Sequence, residues 1–181
     1  MENGIKKLPM LGLGESLSMV FKRLTDFNGR SRRSELWWSY FTIIIAVSIF
    51  CVFFATMINL ISIVSIVAEF GLLSAVTVRR LHDRGHSGYW VLASLIISLA
   101  GFGYMHVSGM MDIMNCINPD SNKITEIMMS PIWSLLGLLS TIVNICIFVF
   151  CVLDGKPEDN KYGASPKYVT EVTDADSDIK D

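Results

Sequence analysis

"LWWSYFTIIIAVSIFCVFFATMINLISIVSIVAEFGLLSAVTV", residues 36 to 78, runs for 43 residues with one charged side chain, Glu69. A single helix of that length would reach roughly 65 Å, about twice the hydrocarbon thickness of a bilayer. The stretch must therefore fold back once. Its only Asn lies in "ATMINLIS", residues 55 to 62, which predicts the turn there. Two helices follow from this, at about 38–57 and 60–78.

Working outward, two more uncharged runs appear, Ser87 to Met111 and Ile127 to Leu153. They predict helices at about 89–105 and 131–153, and Pro131 suits a first helical turn. The composition agrees: 51% of residues are hydrophobic and 18% charged, whereas a soluble domain has about 25% charged residues. The expectation is an all-α, integral membrane four-helix bundle filling residues 37–153.

Basic residues set the orientation. Fourteen of the fifteen Lys and Arg lie before residue 34, between residues 79 and 84, or after residue 155. Only Lys123 falls in the loop from 106 to 130. Four spans place all three basic segments on one side, and an odd number would split them. Both termini are thus expected to be cytoplasmic, in a multi-pass inner-membrane protein. A net charge of −2, with no basic surface beyond the membrane flanks, argues against nucleic acid as a partner. Cys51, Cys146 and Cys151 lie in apolar runs and Cys116 stands alone in its loop, so no disulfide framework is implied. "MENGIKKLPMLGLG" lacks the apolar core of a signal peptide.

The flanks divide further. Residues 1–14 read as a tail. Residues 15–36 read as an amphipathic surface helix with an Arg-rich segment, since Leu17, Val20, Phe21, Leu24 and Phe27 recur near helical spacing. Residues 154–168 read as a fixed turn and 169–181 as an acidic, disordered tail.

Three polar motifs stand against the apolar runs. "FNGRSRRSELWW" (27–38) puts Arg30, Arg32 and Arg33 at the headgroup layer, where each cation gains about 1 kcal/mol from anionic lipid. "RRLHDRGHSGYW" (79–90) holds Arg79, Arg80, His82, Asp83, Arg84 and His86. His82 and His86 have the i,i+4 spacing of zinc helices, but Asp83 is the one further ligand in reach and no metal site is expected. Ser87 beside His86 is adjacency, not a catalytic triad. The bland reading is a turn: Arg79 and Arg80 at a helix C-terminus, Gly85 and Gly88 at positive φ, and Asp83 paired with Arg80 or with an Arg of the 30–33 cluster. "GKPEDNKYGASP" (155–166) is punctuated by Gly155, Pro157, Asn160, Gly163 and Pro166 and lacks the spacing of a calcium loop.

These motifs, in this order, resemble the small bacterial inner-membrane proteins grouped as domain of unknown function 805. The first matches at Phe27, Gly29, Arg30, Arg33, Glu35 and Trp37 or Trp38. The second matches from Arg79 to Asp83 and at Trp90. The third matches at Gly155, Asn160, Tyr162, Gly163 and Pro166. The resemblance covers about residues 20 to 167. It implies a four-helix membrane protein and no activity.

The expected function is non-enzymatic, with no catalytic residue, metal or cofactor. A basic cytoplasmic face would bind anionic lipid headgroups or a protein partner, among them a membrane protein or a second copy of the chain. Two other readings remain. An oligomeric transporter or channel component would use Glu69, the one charge inside a span, with Asn144 its expected neighbour at similar depth. A membrane enzyme would use His82, Asp83 and His86.

Overall fold

The computed structural model describes residues 5–54, 61, 63–65, 67–116 and 118–170, apart from the side chains of Ile5, Glu69 and Thr170. Residues 55–60 and 62 of the expected turn, and the tail from 171 onward, lie outside the described residues.

The surface helix is α1, Leu13–Lys22. Glu15 at its third position accepts a hydrogen bond from the Gly12 amide at 3.1 Å. Its inner face buries Ser16 and Val20, while Leu13 and Phe21 stay exposed. That exposed apolar edge suits a helix lying at a bilayer surface. It is shorter than the expected 15–36. The chain leaves the helix at Arg23, because residues 23–32 form a loop whose carbonyls are needed elsewhere.

Helix α2 is Arg33–Phe53. Its 21 residues reach about 31 Å, the thickness of the hydrocarbon layer. It begins five residues before the expected 38, with Glu35 in the first turn, where a carboxylate complements the helix dipole.

The second expected span, 60–78, is not one regular helix. A π-helical turn, Val67–Leu72, precedes α3, Ser74–Asp83. The α-helix runs five residues past Val78, so the polar motif from Arg79 to Asp83 is helical. Those side chains are buried among partners rather than displayed at a turn.

Helix α4, Tyr89–Val107, and α7, Pro131–Val152, pack against each other. Ser94 donates to Asn144 between them at 3.2 Å. Tyr104 and Ser130 hydroxyls meet at 2.7 Å near the far end. Two short helices, α5 (Met110–Met114) and α6 (Ser121–Met128), occupy the connecting loop. Asp120 caps α6, and Ser130 caps α7 by accepting from the Trp133 amide at 3.2 Å.

Helices α2, α4 and α7 are long and apolar enough to cross a membrane. Their apolar side chains point largely outward; Phe41, Ile45, Leu138 and Phe148 are all more than half exposed. The interior is small and lies in two clusters: Val20, Leu36, Ile43, Leu73, Val76 and Cys151 where α1, α2, α3 and α7 meet, and Val78, Leu81 and Val91 between α3 and α4.

Among the described residues, the fold is all-α apart from one ribbon. β1, Ile5–Lys7, pairs antiparallel with β2, Tyr168–Thr170, with Lys6 opposite Val169. Residues expected to be tail at both ends are thus joined.

Candidate functional site

The three polar motifs converge at one end of the bundle. Asp83, at the last position of α3, is 2% exposed and lies between two guanidinium groups. Arg30 Nε donates to its Oδ1 at 2.8 Å, and Arg80 Nη1 donates to its Oδ2. The sequence left open which arginine Asp83 would meet; it meets one from each motif. A second buried pair lies beside it. Arg79 Nη2 donates to Glu35 Oε1 at 3.0 Å, and the Ser31 hydroxyl donates to Glu35 Oε2 at 2.8 Å. Glu35, Arg79 and Arg80 are each 3% exposed or less. At this depth, removing one partner strands the other charge and costs about 3–5 kcal/mol.

Three buried arginines face two carboxylates, so the surplus positive charge needs further acceptors. Backbone carbonyls supply them. Arg80 donates to Cys151 O at 3.1 Å and to Leu153 O, and Arg33 donates to Val152 O at 3.0 Å. Arg84 donates to Asp154 O at 2.7 Å. The last carbonyls of α7 have no intrahelical partner, and cations favour that end of the dipole. Arg79 does the same at the exit of α1, donating to Arg23 O at 2.9 Å, and also reaches Asp26 O in the loop that follows.

Arg30 reaches the third motif. It donates to Glu158 O at 2.8 Å, Gly163 O at 3.2 Å and Lys156 O. Asn160 Nδ2 donates to His82 O at 2.9 Å, and Asn160 Oδ1 accepts from the Tyr162 amide at 2.8 Å. The Tyr162 ring lies flat on His82, with centroids 3.6 Å apart. His82 Nδ1 in turn lies 3.2 Å from Gly29 O. Pro166 O accepts from Arg32 Nε, whose Nη1 donates to Pro9 O at 3.0 Å. Arg32 therefore ties the two ends of the chain together beside the β-ribbon.

Two glycines are fixed by this packing. A Cβ on Gly155 would fall 1.8 Å from Asp83 Oδ2, so only glycine lets the α7 exit pass the carboxylate. Gly88 was expected at positive φ; instead it takes φ −66° and packs so that a Cβ would meet Val78 at 2.8 Å. Gly29, Gly85 and Gly163 do hold positive φ.

At the rim, Asp154 accepts from Lys167 at 2.5 Å and lies 2.7 Å from Arg33 Nη2. The Lys167 bond and then the Arg33 charge hold its carboxyl below the usual carboxylate range, and the same bond raises Lys167. Beyond Val78, burial holds both His82 and His86 below the ordinary imidazole value. Lys161 adds to this at His82 against the pull of Gly29 O, and Arg84 and Lys156 add to it at His86. His86 stacks on Phe150 at 3.9 Å and does not join His82. Among the described residues, no group of three His, Cys, Asp or Glu could hold a metal ion.

The intramembrane pair stands differently. Asn144 accepts from Ser94 and donates to Ser140 O at 2.9 Å. The Glu69 side chain lies outside the described residues.

The chemistry available at this end is ion pairing and hydrogen bonding among fixed groups. The sequence placed the charges but not their principal acceptors, because carbonyl oxygens have no signature in a string of side chains. The link between Gly155 and Asp83, 72 positions away, was equally hidden. The family model described as "Protein of unknown function (DUF805)" matches residues 24–164, and the chain belongs to this family. The match takes in the first two motifs and the third as far as Ala164. Comparison with curated proteins and with solved structures gives no match.

Proposed function

We propose that this chain is a non-enzymatic, four-span protein of a bacterial inner membrane. Its clasped end faces the cytoplasm and engages anionic lipid headgroups or a membrane-protein partner, a second copy included. The reading rests on where the arginine hydrogen bonds go. Arg30, Arg79 and Arg80 are buried and bound to carboxylates and carbonyls, so they hold the end of the bundle together rather than meet headgroups. The exposed cations left around them include Lys7, Lys22, Lys156 and Lys161, each worth about 1 kcal/mol near an anionic leaflet.

Chain parity supports four crossings. The Ser31 amide donates to Arg79 O at 3.1 Å, and Glu35 pairs with Arg79. The start of α2 and the end of α3 therefore share one side, and a chain leaving along α2 returns by an even number of crossings. The antiparallel pair α4 and α7 adds two more. The excess of Lys and Arg at the shared end supports a cytoplasmic placement.

The test is purification in mild detergent with mass spectrometry of the retained lipids. Wild type is expected to retain anionic lipid, and a combined Lys22→Gln, Lys156→Gln, Lys161→Gln variant to lose most of that enrichment. Equal retention by both, with no co-purifying membrane protein, would overturn the proposal.

A further inference from the structure

Between the N-terminal segment and the start of α2 lies a cavity of about 90 Å³. Its walls carry five cationic side chains, Lys7, Arg32, Arg33, Arg80 and Lys167, against two carboxylates, Asp83 and Asp154. Neither carboxylate has charge to spare. Asp83 already lies between Arg80 and Arg30, and Asp154 between Arg33 and Lys167.

Two of the cations have no carboxylate partner among the described residues. Arg32 donates only to the carbonyls of Pro166 and Pro9, which fix its guanidinium and leave its charge uncompensated. Lys7 is exposed and forms no ion pair among the described residues. Arg32 is also the cap position of α2 and supplies no side-chain acceptor to the helix. Ser34, in the first turn of α2, forms part of the wall.

A water needs about 10–15 Å³ of such space, so this volume admits a group of several heavy atoms. A tetrahedral oxyanion has that size. It would meet a pre-positioned guanidinium and an ammonium, the pair of donors that suits phosphate oxygens. We propose that this cavity binds a phosphate group, free or as the terminal phosphate of a lipid, between Lys7, Arg32 and the first turn of α2. The inference rests on reading this end of the molecule as the one that meets anions, and it adds a built site to the contact made by the lysine rim.

The test uses the full chain in a non-ionic detergent, with unfolding followed by tryptophan fluorescence. The probes are inorganic phosphate against chloride at equal ionic strength, and phosphatidic acid against phosphatidylcholine in mixed micelles. A saturable rise of several degrees in the unfolding midpoint is expected with at least one phosphate probe. Lys7→Gln should abolish that rise while leaving the midpoint in chloride unchanged, and Lys22→Gln should retain it. Phosphate also strengthens apolar burial in general, an effect that Lys7→Gln would not remove. A response to inorganic phosphate assigns the site to the free anion. A response to phosphatidic acid alone assigns it to a headgroup. No response to either probe, or a response that survives both Lys7→Gln and Arg32→Gln, would overturn the proposal. Retention of anionic lipid that depends on Lys22, Lys156 and Lys161 would still stand in that case, so the cavity and the rim fail separately.

Discussion

Asp83 is the residue on which three segments depend. It holds Arg30 and Arg80, its own carbonyl accepts from the Lys156 amide at 3.2 Å, and its side chain dictates glycine at 155. Asp83→Asn leaves two buried guanidinium groups with one counter-charge fewer. We expect it to lower stability in detergent by about 3–5 kcal/mol. His86→Gln, which removes a ring stacked at the rim, should cost much less; equal effects in thermal unfolding would contradict the lock. The histidines give a second expectation. Burial favours the neutral form of His82 and His86 in the folded chain. Their contribution is therefore complete above the ordinary imidazole value and is lost as the pH falls below it, through the depressed folded values. The unfolding midpoint should drop between neutral and mildly acidic pH, and a His82→Gln, His86→Gln variant should flatten that drop. An unchanged pH profile in the variant would assign the drop to other groups.

At the scale of elements, the apolar runs were legible because length and hydropathy alone separate a span from a loop. Three of the expected helices appear as long apolar α-helices, shifted by a few residues at their ends. The segment at 60–78 was less legible. Nothing in its composition announces a π-helical turn before Ser74, and the extension of α3 through Asp83 arises from buried partners on other segments. The β-ribbon was invisible for a similar reason: three-residue strands carry too little alternation to be recognised. The contact between α4 and α7 differs in kind from the clasp. It joins Ser94 and Asn144 by one neutral hydrogen bond, and such bonds within membranes average about 0.6 kcal/mol. Asn144→Leu is expected to shift the unfolding free energy by about 1 kcal/mol or less. A loss as large as that of Asp83→Asn would show that the intramembrane polar pair, and not the clasp, holds the helices.

For the whole molecule, the central claim is that residues near 22, 87 and 159 share one side of the membrane because buried ion pairs and carbonyl caps tie them together, while residue 121 lies opposite. Single cysteines at Lys22, Ser87, Asp159 and Ser121, placed in a Cys116→Ser background, test this directly with a membrane-impermeant maleimide on intact cells. The expected result is labelling at position 121 alone, with positions 22, 87 and 159 labelled only after the membrane is opened. Labelling of any of those three on the same side as position 121 would contradict the account.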